Sequence, residues 1–110
     1  MDSDPTDRRR RELQAEIAAI SHVLPGSLNV ITNRCGKPTC RCHADPPQLH
    51  GPYLTWTRKV AGKTITRRLN TDQAKRYRPW LENNHRLRAL IAELEALNVQ
   101  TAEHAEGWAK

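Results

Sequence analysis

Side chains that bind metal ions are concentrated in one short stretch of this sequence. Cys35, Cys40, Cys42 and His50 fall within sixteen residues, and they include all three cysteines of the protein. Three cysteines and one histidine are one of the usual tetrahedral ligand sets of Zn²⁺. A structural zinc site uses all four positions for protein ligands, whereas a catalytic site keeps one open. The pattern therefore predicts a structural zinc ion.

The fourth ligand has a rival in His43. This residue directly follows Cys42, and ligation of one ion by two adjacent residues strains the backbone. His50 leads into a predicted strand, where ligation would fix the loop to the sheet, so His50 is favoured. The alternative for the cysteines is that they are free thiols with a redox role. Their close spacing beside a histidine favours the metal site.

The composition agrees with a fold that needs a metal or a partner subunit. The chain has 110 residues, of which 37% are hydrophobic, and it contains no Phe. A single domain of this size with so few apolar side chains is marginally stable without such help. Clustered cysteines indicate metal binding in a reducing compartment and not a disulfide framework. No segment approaches the roughly 20 apolar residues of a membrane span, and no secretory signal is evident, so we expect a cytoplasmic protein without a membrane partner.

The charge is unevenly distributed. Residues 34–88 contain thirteen Lys or Arg and three acidic residues, although the net charge of the whole chain is only +6. Such a block is the electrostatic footprint of a nucleic-acid or other polyanion contact, and the alternative is a well-solvated surface. The residues expected to contact nucleic acid are Lys37, Arg41, Arg58, Lys59, Lys63, Arg67, Arg68, Lys75, Arg76 and Arg78.

The hydrophobic pattern predicts an α+β fold in a single domain. An N-terminal helix is expected within residues 1–24, from about residue 5, with Asp4 as its cap and Pro5 at its first position. Residues 25–98 should form a domain of zinc loop, β-hairpin and long helix. Residues 99–110 lose periodicity and are expected to be a tail. The long helix, 71–98, should be capped by Asn70, with Gln73 reaching back as in a capping box, and be kinked or start late at Pro79. Both helices carry apolar stripes and are expected to pack as an antiparallel pair. The stripe of the long helix is wider than the first helix can cover, which favours a homodimer.

Two features of this fold remain open at the sequence level. The hairpin can turn through two residues, Ala61-Gly62, or through three. Burial favours the two-residue turn, which groups the apolar side chains on one face and exposes Thr55, Thr57, Lys59, Thr64, Thr66 and Arg68. The second open feature is the run Arg8–Arg11, which is either a phosphate clamp or a solvated arm. Trp56 and Trp80 are interpreted as core residues and not as base-stacking platforms.

The motif Cys-Gly-Lys-Pro-Thr-Cys-Arg-Cys at 35–42, His-Gly-Pro-Tyr at 50–53 and the hairpin segment at 62–67 resemble a family of small, functionally unassigned bacterial proteins. Some members of that family are encoded near mobile-element or phage genes. The resemblance spans about residues 25–97 and implies a bacterial cytoplasmic protein that assists a DNA transaction. It also places Cys35, Cys40, Cys42 and His50 at the ligand positions, with a small residue where this chain has His43.

The sequence contains no catalytic signature. It has no Gly-rich phosphate loop, no GxSxG and no HExxH motif, and its basic block has too few carboxylates for a two-metal nuclease. We therefore expect a nucleic-acid-binding protein, with DNA favoured over RNA, and not an enzyme. The competing hypothesis is an adaptor that dimerises through its helices and docks on a recombinase or another nucleic-acid enzyme. A third is a redox sensor that releases zinc when its thiols are oxidised.

Overall fold

The structure, a computed structural model, describes residues 4–108 and confirms the α+β class. In chain order the elements are α1 Pro5–Ala18, β1 Ser27–Asn33, a 3₁₀ turn Arg41–His43, β2 His50–Val60, β3 Lys63–Leu69 and α2 Thr71–Glu106. Strands β1, β2 and β3 form one antiparallel sheet in that order. Over the described residues, neither helix combines the length and apolar character that a membrane crossing requires.

The chain divides into two compact units. The helical unit comprises residues 1–24 and 82–110, and the β unit comprises residues 25–81. In the described part of the helical unit, Leu13 is fully buried and Leu90 nearly so. The β unit buries Cys42 completely, together with Thr55, Leu69, Ala74 and Leu81. Each core is small, as expected from a composition so poor in large apolar residues.

Helix α1 begins as the sequence predicts and ends earlier. The Asp4 side chain accepts a hydrogen bond from the backbone N–H of Thr6 at 3.0 Å, and Pro5 occupies the first turn. The helix ends at Ala18, whereas the apolar stripe predicted helix up to residue 24. Residues 20–23 are Ile-Ser-His-Val, all weak helix formers, so apolar spacing alone overestimated its length.

Helix α2 begins at the predicted cap and is longer than expected. The Gln73 N–H donates to Asn70 Oδ1 at 2.8 Å, and the Asn70 N–H donates to Gln73 Oε1 at 2.9 Å, which is a reciprocal capping box. The helix runs through Pro79 without a late start. It also continues over residues 99–106, where a tail was expected, because Ala, Gln and Glu in this segment are good helix formers. Gly107 then adopts φ +69° and ends it.

The hairpin adopts the two-residue turn favoured from the sequence. Val60 pairs with Lys63, and Ala61 and Gly62 have φ of 52° and 81°, as a type I′ turn requires. One expectation for its faces is wrong. Thr55 was assigned to the exposed face but is only 4% exposed. It lies on the central strand, and Asn29 of β1 and Arg68 of β3 flank it on the same face of the sheet. Its hydroxyl donates to the Asn29 carbonyl at 3.3 Å.

The hairpin extends beyond the first strand. The pairing of β1 with β2 starts at Ser27, which lies opposite Thr57. Residues 58–65 therefore form a two-stranded ribbon past the end of β1, which we call the hairpin finger.

Candidate metal centre and basic surface

The structure brings together the four residues predicted to bind the metal. The ligand atoms of Cys35, Cys40, Cys42 and His50 all lie within 4.8 Å of one another. Cys35 Sγ is 3.6 Å from Cys42 Sγ, and Cys40 Sγ is 3.4 Å from His50 Nε2. A tetrahedral zinc ion with its usual bond lengths separates two sulfur ligands by about 3.8 Å and a sulfur and a nitrogen by about 3.6 Å. The donor set therefore fits a metal ion of this kind.

Local backbone structure explains how the ligands converge. Cys35 lies just after β1 and His50 is the first residue of β2, and these two strands are paired at this end through Asn33 and His50. Cys40 ends a tight turn, in which its N–H donates to the Lys37 carbonyl at 3.0 Å. The short 3₁₀ turn that follows places Cys42 in the interior, where it is fully buried.

His43 lies outside the ligand cluster and holds its backbone. Its Nε2–H donates to the Cys35 carbonyl oxygen at 2.6 Å, so the ring binds the peptide group of a ligand residue. This position supports His50 as the fourth ligand. The supporting bond of His43 could not be found from the sequence, because spacing alone does not show which carbonyl the ring reaches.

The thiols of the cluster differ in their electrostatics. The pKa of Cys40 is lowered to about 6, chiefly because the backbone N–H of Cys42 donates to its sulfur. Burial raises the pKa of Cys42, since desolvation disfavours its thiolate. The Cys35 N–H donates to the Cys42 sulfur at 3.3 Å and partly offsets that cost. Cysteines bind metals as thiolates, so a bound cation would stabilise the charged forms of all three.

The basic side chains are concentrated in the β unit. Residues 25–81 contain eleven Lys or Arg and only two acidic residues, Asp45 and Asp72. The helical unit has the opposite balance, because ten of the twelve acidic residues of the chain belong to it. The positive charge of the chain therefore lies in the β unit, whereas the helical unit is acidic.

Three of the four consecutive arginines of α1 pair with carboxylates, whereas Arg8 is exposed. Arg9 donates to both carboxylate oxygens of Glu93, at 2.7 and 3.0 Å, and also to Glu12 and Glu16 at 3.3 Å. These bonds raise the pKa of Arg9 and lower that of Glu93. Arg10 and Arg11 pair with Asp7. Within the helical unit, this network joins α1 to α2.

The predicted nucleic-acid contacts do not form one surface. Side chains alternate along a strand, so the register places Arg58, Lys63 and Arg67 on one face of the hairpin and Lys59 and Arg68 on the other. The remaining candidates are exposed beside the metal ligands or on the first turns of α2. These are Lys37, Arg41, Lys75, Arg76 and Arg78.

Aromatic rings lie under two of the hairpin arginines. The guanidinium of Arg58 is 4.5 Å from the Trp56 ring centroid, and that of Arg68 is 3.7 Å from the Tyr53 centroid. Trp56 and Trp80 are half-buried, although the sequence interpretation made them core residues. The indole N–H of Trp56 donates to the Pro25 carbonyl at 2.7 Å. These rings support the cationic groups and hold them in place.

A family model described as a domain of unknown function, DUF6788, matches residues 4–79. The chain belongs to this family. The matched region of DUF6788 contains α1, all four candidate ligands and the whole hairpin, and it ends at Pro79 within α2. It therefore begins earlier than the resemblance found from the motifs, which started near residue 25. No curated protein and no solved structure matches the chain.

Proposed function

We propose that this member of the DUF6788 family is a small zinc protein that binds nucleic acid, with DNA preferred over RNA. The observation that supports this most directly is the excess of nine positive charges within the β unit. A focused positive field of this size attracts the phosphate backbone independently of sequence.

The hairpin finger supports the choice of duplex DNA. A two-stranded ribbon fits the B-DNA major groove, which is about 12 Å wide. Arg58, Lys59 and Lys63 belong to the finger, and no acidic residue occurs anywhere in the hairpin. Basic side chains on both faces suit a ribbon inside a groove, because phosphates then flank it on each side.

The zinc ion serves the fold in this proposal. Bound by Cys35, Cys40, Cys42 and His50, it would hold the loop between β1 and β2 and so fix the base of the hairpin. Binding energy at such a site is folding energy, because the unfolded chain has no preformed site. The biological setting follows from the motif resemblance: an accessory role in a bacterial DNA transaction, such as recombination or regulation of a mobile element.

Neutralising the two hairpin faces separately tests the proposal. The first variant carries Arg58→Gln, Lys63→Gln and Arg67→Gln, and the second carries Lys59→Gln and Arg68→Gln. Each is measured zinc-loaded against labelled duplex DNA, RNA duplex and single-stranded DNA by fluorescence anisotropy. Weakened duplex binding by both variants is expected for a finger in a groove. If both variants bind the duplex with the affinity of the wild type, contact through the hairpin is refuted.

A second candidate function is the adaptor, and exposed apolar residues on α2 favour it. Ile91 is 38% exposed and Val99 is 56% exposed, and both lie in the helical unit. A helix that leaves such side chains in water is suited to pairing with a second copy or with a partner protein. Sedimentation of the wild type and of Ile91→Lys tests it: a dimer that the substitution dissociates supports the adaptor, and a monomeric wild type refutes self-association.

A further inference from the structure

A small notch lies in the β unit, where the start of β1 meets the hairpin finger. Its volume is about 430 Å³. The turn before β1, with Pro25 and Gly26, forms one wall together with Ser27 at the start of β1. Thr57, Lys59 and Thr64 contribute from the hairpin. The register places Ser27 opposite Thr57 and Lys59 opposite Thr64, so these side chains share one face of the sheet.

The chemistry of the notch suits a phosphate group. Ser27, Thr57 and Thr64 contribute hydroxyl groups and Lys59 contributes a cation on this face, whereas Arg58 directs its side chain to the opposite face; none of the lining residues is acidic. The amide of Asn29 donates to the Thr57 hydroxyl oxygen at 3.3 Å, which leaves the Thr57 O–H free to donate into the notch. Hydroxyl and ammonium donors are the groups that proteins use to hold backbone phosphates.

The notch is built by close backbone packing. Gly26 has φ +100°, and a Cβ atom at this position would lie 2.1 Å from the Thr57 carbonyl oxygen. Only glycine therefore allows the turn to approach β2 so closely. The hydrogen bond from the Trp56 indole to the Pro25 carbonyl fixes the same turn from the other side. A wall that is already ordered loses little conformational entropy when a ligand binds.

We propose that this notch is a phosphate-binding site that takes one backbone phosphate of the bound nucleic acid. The inference rests on the proposed function and deepens it. With the hairpin finger in the major groove, the notch at the base of the finger faces the edge of that groove, where the phosphates run. The finger gives the groove contact, and the notch fixes the depth to which it enters.

The test uses zinc-loaded, ¹⁵N-labelled full-length protein titrated with inorganic phosphate, and with chloride at equal ionic strength. Lys59→Gln and Thr64→Val alter the notch. Lys63→Gln and Thr66→Val are matched controls, because they remove the same charge or hydroxyl from residues that do not line it. Phosphate is expected to shift the amide signals of Ser27, Thr57 and Thr64 in the wild type and controls, and not in the notch variants.

Duplex binding by Thr64→Val, Thr66→Val and Lys59→Gln identifies the source of the phosphate; Lys63→Gln is a control for the phosphate titration only. Thr64→Val should weaken binding about 2- to 10-fold, as expected for one lost hydrogen bond, and Thr66→Val should not. Lys59→Gln should reduce the slope of log affinity against log salt by about 0.9, the value for one phosphate contact.

Other outcomes separate this inference from the proposed function. Duplex binding with equal effects of Thr64→Val and Thr66→Val, and no phosphate-specific shifts, would refute the notch and leave nucleic-acid binding intact. Phosphate shifts confined to the notch in a protein that binds no duplex would refute the proposed function. They would also overturn the assignment of a backbone phosphate, since the occupant would then be a free phosphate group.

Discussion

Two histidines near the cysteine cluster give a sharp test, because their positions differ. His50 Nε2 lies 3.4 Å from Cys40 Sγ within the cluster that could hold a metal ion, whereas His43 Nε2 donates to a backbone carbonyl at 2.6 Å. Structural zinc sites contribute about 10–16 kcal/mol of binding free energy, so an even share per ligand is about 2.5–4 kcal/mol. His50→Ala should therefore raise the zinc dissociation constant by about two to three orders of magnitude.

His43→Ala should have a much smaller effect. It removes one exposed hydrogen bond, which contributes about 0.5–1.5 kcal/mol and corresponds to about a 2- to 12-fold change in affinity. Zinc affinity is measured by competition with a chromophoric chelator at fixed pH, and Co²⁺ spectra report whether coordination stays tetrahedral. Equal losses in the two variants, or a larger loss for His43→Ala, would refute the ligand assignment.

Three further predictions concern stability. Leu13→Ala should lower the free energy of unfolding by about 3 kcal/mol, because Leu13 is fully buried. Chemical denaturation measures this change, and a loss below about 1 kcal/mol would contradict a core at Leu13. Arg9→Gln should lower the melting temperature more at low salt than at high salt, because it removes the ion pair with Glu93. Arg8→Gln, at an exposed position, should leave the melting temperature nearly unchanged, and equal shifts in the two variants would contradict the ion-pair network. Gly26→Ala should cost more than about 1 kcal/mol, whereas Gly36→Ala, in open space, serves as the tolerated control.

The metal cluster could be predicted from the sequence because its ligands lie close together in the chain. Sixteen residues contain all four, so little tertiary information is needed to bring them together. The same holds for the caps of both helices and for the turn at Ala61-Gly62, which depend on neighbouring residues. Local chemistry settles each of these features.

The remaining features depend on contacts between distant residues. The end of α1 at Ala18 could not be derived from apolar spacing, which marks a face and not a boundary. The role of Arg9 depends on Glu93, which lies 84 residues away. The burial of Thr55 requires knowing that a third strand, β1, covers that edge of β2.

The hairpin shows what strand pairing adds to a turn that the sequence predicts correctly. The sequence also predicts that five basic hairpin residues contact nucleic acid, namely Arg58, Lys59, Lys63, Arg67 and Arg68. Alternation along the strands then divides them between two faces, with Arg67 and Arg68 pointing in opposite directions. The basic composition of a segment is visible in the sequence, whereas the surface it forms requires the pairing.

The most direct test of nucleic-acid binding is the affinity of the zinc-loaded protein for a labelled duplex across a salt series. Each neutralised phosphate contributes about −0.9 to the slope of log affinity against log salt. If the finger and its flanking basic residues contact the backbone, the slope should be about −3 or steeper. The same protein stripped of zinc should bind more weakly. Absence of binding at low salt, or a slope near zero, would show that the basic surface is only a solvated face.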